Sequence, residues 1–169
     1  MNALLLPGNS PRHAEWIEAL KDAVSSQFEV TKTQHYAHWQ TGEQWANVEH
    51  EINVSKEKVA SLEPYVIIAK SIGTVIAAKG TASQVLQPEK LILLGVPIKG
   101  GADIETFLAF LQKIKIPVII VQNTADPFGS FADVKSVFQG AGPHTSFIEL
   151  PGDTHDYLDF SAITRIAHP

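Results

Sequence analysis

Cysteine is absent from the 169 residues of this chain. That absence excludes disulfides, thiolate-bound zinc and a cysteine nucleophile together, so any nucleophile here is an oxygen or a nitrogen. Positive charge is in the minority, with 13 Lys and Arg against 18 Asp and Glu, a formal charge of -5. A nucleic-acid binder carries a basic face or stripe, and this balance argues against one. Long apolar runs are lacking too. The first run, Leu4 to Leu6, has no basic residue before it and stops at Pro7-Gly8. It is too short for a signal peptide or a membrane span, and the expected location is the cytosol. No repeat or low-complexity linker interrupts the chain; its densest charged stretch, Glu49 to Lys58, fits a solvated helix face.

What is present is the composition of one folded domain, residues 1–169. Hydrophobic residues make up 44% of the chain and include eight Phe. A chain of this length buries a substantial core without a metal or a covalent staple. Short apolar runs alternate with amphipathic stretches, the pattern of an α/β domain with a mainly parallel, doubly wound sheet between two helical layers. The expected strands are Ala3-Leu6, Phe28-Lys32, Tyr65-Lys70, Lys90-Leu94, Val118-Gln122 and Ser146-Leu150. Ser10-Pro11 reads as the start of a first helix carrying an Ile17, Leu20, Val24 stripe. A second helix is expected from about Gly42 to Leu62 with Trp45 on its core face. Others should follow Ser71, occupy Asp103 to Lys113 and Phe131 to Phe138, and close the chain after His155.

Ligands in such a sheet bind beyond the carboxyl ends of the strands, and the chemically capable residues fall there. Ser71 follows the third strand in Ala69-Lys70-Ser71-Ile72-Gly73. A serine nucleophile on a strand-to-helix turn needs small residues two positions either side, and Ala69 and Gly73 are small. The bland alternative is an ordinary helix-capping serine. His155, after the last strand, is the candidate base, and Asp126, in Ala125-Asp126-Pro127, the candidate acid that orients it. Asp153 and Asp156 adjoin His155 in sequence and fit solvated or capping roles, and Asp133 falls within an expected helix. The chain order Ser71, Asp126, His155 is that of α/β-hydrolases rather than of chymotrypsin-like or subtilisin-like enzymes. Backbone N–H groups of Ile72, at a helix N-terminus, and Asn9, after the first strand, are the candidate oxyanion donors.

Taken in order, the Pro7-Gly8-Asn9 turn with Trp16, the Trp45 helix, the serine elbow, the Asp126-Pro127-Phe128-Gly129 loop and the Gly152-Asp153-Thr154-His155 segment resemble a small α/β-hydrolase. They are similar to the compact serine hydrolases related to retinoblastoma-binding protein 9, and the likeness spans nearly the whole chain. Alanine stands at position 69 where the elbow pattern has glycine, and Lys70 where many relatives carry another residue. The resemblance implies a strand order of 2-1-3-4-5-6, with the first two strands of larger hydrolases absent. Gly95 to Gly101 is expected to lead straight into the next helix, leaving no room for a lid domain.

The expected activity is hydrolysis of a carboxylic ester or thioester, with amides third, through an acyl-enzyme on Ser71. No cofactor or metal is needed; His35 and His38 have a metal-like spacing, but no carboxylate motif accompanies them. The site is expected to be open and shallow, lined by Lys70, Val96, Pro97, Ile98, Phe128 and Phe131. Trp45 reads as core, and His13 and His144 as surface residues. The expected partner is a small-molecule ester or thioester, with neither nucleic acid nor membrane, and the sequence leaves monomer and homodimer both open. The competing reading is a non-catalytic binding or scaffold protein on the same fold.

Overall fold

A computed structural model describes residues 1–99 and 103–168 of the chain. Six strands form one sheet: β1 (Asn2–Leu6), β2 (Thr31–Thr33), β3 (Tyr65–Lys70), β4 (Lys90–Leu94), β5 (Val118–Asn123) and β6 (Thr145–Leu150). Their order is β2-β1-β3-β4-β5-β6, and every neighbouring pair is parallel. Seven helices accompany them among the described residues: α1 (His13–Val24), α2 (His38–Thr41), α3 (Val48–Val59), α4 (Ile72–Ala82), α5 (Ile104–Lys113), α6 (Phe131–Phe138) and α7 (Phe160–Ala167). Residues 100–102, part of the expected direct passage from β4 to the next helix, lie outside the described residues.

Side chains alternate across each strand and split the core in two. Leu4, Leu6, Ile67, Ala69, Leu91 and Leu93 pack on one face with residues of α3, α4 and α5. Ala3, Leu5, Val66, Ile68, Ile92 and Leu94 pack on the other with α1 and α7. Central strands therefore have to be apolar on both faces, which is why β1, β3 and β4 read as nearly unbroken Leu, Ile and Val. Leu4, Leu5 and Leu6 are fully buried, and each contributes roughly 1.5–3 kcal/mol by leaving water.

The helices start where capping chemistry allows. Asn47 accepts from the His50 N–H, Asp103 from Glu105 and Thr106, Ser130 from Asp133, and Asp159 from Ala162. Two expected boundaries move. The first helix begins at His13 rather than at Pro11, with the Ser10 hydroxyl accepting from the Arg12 N–H at 3.3 Å. The helix expected from about Gly42 to Leu62 is shorter, since α3 begins only after the Asn47 cap, and a separate short helix, α2, ends before it on Gly42 in the left-handed region. Trp45 lies in the irregular link between them and is 58% exposed, so it is not core. No helix among the described residues is long and apolar enough to cross a membrane.

Candidate active site

Ser71 joins β3 to α4 with φ 55° and ψ -121°. A capping residue takes extended backbone and lends its oxygen to the first turn; Ser71 does neither, making no side-chain cap hydrogen bond. The strain is held by its surroundings, with the Ser71 N–H bonded to the Leu94 carbonyl at 2.9 Å and the Ser71 carbonyl accepting from the Thr74 N–H. Gly73 makes the turn possible. A β-carbon there would lie 2.7 Å from the Pro7 carbonyl oxygen and 2.8 Å from that of Leu6, closer than any real side chain tolerates.

At the end of β5, Asp126 is almost fully buried. His155 Nδ1 lies 2.8 Å from one of its carboxylate oxygens and 3.0 Å from the other. Phe128 N–H donates to the same carboxylate at 2.8 Å. So does the Tyr157 hydroxyl, also at 2.8 Å, while accepting from the Asn123 N–H at 3.0 Å. Because that hydroxyl already accepts from a backbone donor, its own proton points at Asp126. Burial first, and the nearby carboxylate second, push the Tyr157 phenol far above its ordinary range, so it stays protonated as a donor. The loop bearing His155 is latched to the end of β5: Asn123 Nδ2 donates to the Thr154 carbonyl, and Ala125 N–H to that of Gly152. His155 Nε2 is buried and has no hydrogen-bond partner, Ser71 included.

The turn after β1 presses on the N-terminus of α4 and is held from outside. The Tyr36 hydroxyl donates to the Pro7 carbonyl at 2.8 Å. His38 Nε2 and Trp39 Nε1 both donate to the Asn9 carbonyl at 2.8 Å. The Asn9 side chain spans to the Gln44 carbonyl and the Ala46 N–H. The backbone N–H groups of Asn9 and Ile72 make no hydrogen bond to any described residue, and both residues line the cleft that holds Ser71 and His155. His38, singled out for its spacing, thus holds this turn, while His35 faces Glu18 at 3.2 Å.

That cleft has a volume of about 1130 Å³. Its apolar lining comes from α1 (Trp16, Ala19), α4 (Ile72, Val75), the link carrying Trp45, Pro97, Phe128, and Leu158 and Phe160 near the start of α7. The Phe128 ring lies 4.6 Å from that of His155. Four residues expected in the lining do not line it. Val96 is fully buried because its N–H is drawn to Gln122 Oε1 at 2.9 Å. Ile98 packs against the core. Phe131 opens α6 and sits under Lys135 instead. Lys70 has the same strand parity as Val66 and Ile68, so it points under α1, fully buried, with its ammonium 2.9 Å from His13 Nε2 and 5.3 Å from the Trp16 ring centre. His13 is accordingly part of the cleft wall and not a surface residue. Burial, then the adjacent Lys70, lowers His13 to about 4, and burial lowers Lys70 to about 8. At neutral pH the pair is a neutral imidazole against a charged ammonium.

A parallel three-layer sheet of this order, with a strained serine at the elbow after the central strand, defines the α/β-hydrolase fold. The chain belongs to that family, since the alpha/beta hydrolase domain model matches residues 14–161. No curated protein sequence matches it. Among solved structures it is similar to an uncharacterized protein from Bacillus cereus, at 16% identity and TM-score 0.78, covering 98% of this chain and 57% of that one. It is also similar to an alpha-beta serine hydrolase homologue from Coxiella burnetii, at 18% identity and TM-score 0.77, covering 98% and 82%. A monoacylglycerol lipase from Paleococcus ferrophilus matches at 14% identity and TM-score 0.67, covering 99% and 95%. The chain spans little more than half of the Bacillus cereus protein.

Proposed function

We propose that the chain is a serine hydrolase cleaving carboxylic esters or thioesters through an acyl-enzyme on Ser71. The observation that carries this reading is the strained, uncapped Ser71 facing one cleft with a His155 whose Nδ1 is committed to Asp126. With Nδ1–H donating to the carboxylate, the neutral imidazole has its lone pair on Nε2, the atom left without a partner. Nε2 takes the Ser71 proton as the oxygen attacks the acyl carbon, then returns it to the departing alcohol or thiol. Water repeats the sequence to free the acid. Asn9 and Ile72 N–H groups receive the oxyanion in both tetrahedral intermediates. The apolar walls favour an ester with a hydrophobic acyl or alcohol part, and the monoacylglycerol lipase among the similar structures fits that preference.

The missing hydrogen bond between Ser71 and His155 is the observation that favours the non-catalytic reading; such bonds are often long before substrate binds. A fluorophosphonate probe separates the two. It should label the wild type at Ser71 and leave Ser71→Ala unlabelled, with hydrolysis of 4-nitrophenyl esters lost in parallel. A folded wild type that takes no label and cleaves no activated ester would be a binding protein.

A further inference from the structure

The apolar lining of the cleft divides between the two faces of the sheet. Trp16 and Phe160 pack with the core that holds α1 and α7, their rings 6.1 Å apart. Tyr157 belongs to the same core, and its ring lies 5.9 Å from that of His155. Ile72 and Val75 pack instead against the core of the other face. The cleft thus offers two apolar directions from Ser71, one on the side of the His155 segment and one along the helix that follows the serine.

The second direction does not stop at the cleft. Ile72 and Val75 also line a smaller groove of about 210 Å³, which they share with Val48 of α3 and with Phe107 and Phe110 of α5. Ile72, Val75 and Lys79 stand three and four positions apart, so they share one face of α4, and Lys79 lines the groove as well. From Ser71 to Lys79 the helix rises about 12 Å. An extended chain advances roughly 1.2 Å per bond, so about ten carbons cover that distance. The polar side chains of the groove are already paired. Lys79 is ion-paired with Glu49. Asp103 caps α5 with one carboxylate oxygen and accepts from the Thr106 hydroxyl with the other, at 2.7 Å. A polar ligand would have to compete with these pairs, whereas an apolar chain needs no partner and gains by leaving water.

In the acyl-enzyme reading, on which this inference rests, His155 Nε2 hands its proton to the departing alcohol or thiol. That arm of the substrate therefore lies within reach of His155, on the side lined by Trp16 and Phe160. We propose that the acyl arm runs the other way, over Ile72 and Val75 into the groove between α4 and α5, and that the substrates are esters or thioesters of unbranched fatty acids of about ten carbons. The groove then acts as a gauge of chain length. Short acyl groups end beside Ser71 and leave it empty, and each further methylene leaves water for the α4 stripe and the Phe110 ring.

The test measures kcat/KM of wild type, Phe110→Asp and Thr106→Glu on 4-nitrophenyl butyrate and decanoate, each kept below the concentration at which the ester aggregates, with thermal midpoints to check folding. A methylene fully removed from water is worth up to about fourfold in kcat/KM; at about twofold each in a half-open groove, the added methylenes should make decanoate roughly 60-fold the better substrate of wild type. A carboxylate placed in the groove should cut that decanoate-to-butyrate ratio at least about tenfold in both variants. Glutamate suits position 106, in the first turn of α5, where the helix dipole favours it, so Thr106→Glu decides if Phe110→Asp does not fold. Decyl and ethyl thioacetate carry the chain on the departing arm, and their ratio should be the same in all three proteins. A wild-type nitrophenyl ratio near one, or folded variants that keep the wild-type ratio, would overturn the proposal alone, as would variants that lower the thioacetate ratio instead. A wild type that neither labels with fluorophosphonate nor hydrolyses either nitrophenyl ester would overturn the acyl-enzyme reading and this proposal with it.

Discussion

Tyr157 makes no contact with the cleft, yet its hydroxyl joins the Asn123 N–H to the Asp126 carboxylate inside the core. Tyr157→Phe leaves the ring in place and strips both bonds. A buried donor left unpaired costs about 1–3 kcal/mol, so urea unfolding should show a loss of that size. Esterase kcat should fall roughly tenfold as the carboxylate loses a partner that holds it, with KM little changed. An unchanged kcat would show that His155 and Phe128 hold Asp126 unaided. No motif announced this tyrosine: its role depends on backbone at φ 55° that folds the chain back beneath His155, and a left-handed residue other than glycine leaves no mark in the sequence. The placement of Ser71, Asp126 and His155 at one sheet edge was legible because each follows a strand. Lys70 was half legible, since strand alternation assigns it the parity of Val66 and Ile68, but its pairing with His13 needs the packing of α1.

At the scale of elements, the contact between the turn after β1 and the first turn of α4 is backbone against backbone, with no flexible side chain to yield. Gly73→Ala must therefore push α4 and the Pro7-Gly8-Asn9 turn apart. Overpacking of this kind costs about 1–3 kcal/mol, read as a lower unfolding midpoint. Because Ile72 and Asn9 sit on the two separating elements, kcat should fall further than the stability loss explains. A Gly73→Ala protein destabilised but fully active would mean that the two N–H groups do not act together. Strand bounds were readable to within about three residues because apolar runs on a doubly covered sheet have few alternatives. The Gly42 to Leu62 helix was not. Its hydrophobic spacing suits one helix, but the chain is drawn out of helix by Asn9, which takes the Gln44 carbonyl and the Ala46 N–H from more than thirty residues away. The local signal at its true start, the Asn47 cap, was outweighed by the periodicity.

For the molecule as a whole, burying His13 has a cost that depends on pH. The unfolded chain protonates this residue near 6.5 and the folded one only near 4. Between those values the unfolded state binds more protons, so stability falls as pH drops from 6.5 towards 4, with no further loss from this group below that. Solvent screening at the partly exposed ring keeps the contribution below about 3 kcal/mol. Urea midpoints measured across this window should fall more steeply for wild type than for His13→Gln, and parallel curves would assign the acid sensitivity elsewhere. The parallel three-layer architecture was legible from alternation of short apolar runs with amphipathic stretches. The make-up of the cleft was not, because Trp16, Trp45 and the Leu158 and Phe160 pair come from three separate places in the chain. One bond between distant parts is the Trp16 indole N–H donating to the Tyr157 carbonyl at 3.1 Å. It ties the first helix to the segment carrying His155, which is translated long after Ser71. At roughly 5–20 residues per second, a growing chain carries Ser71 for some seconds before His155 is made. If the proposed reading holds, esterase competence should therefore arrive as a late event of biogenesis, when the segment beyond β6 docks on α1.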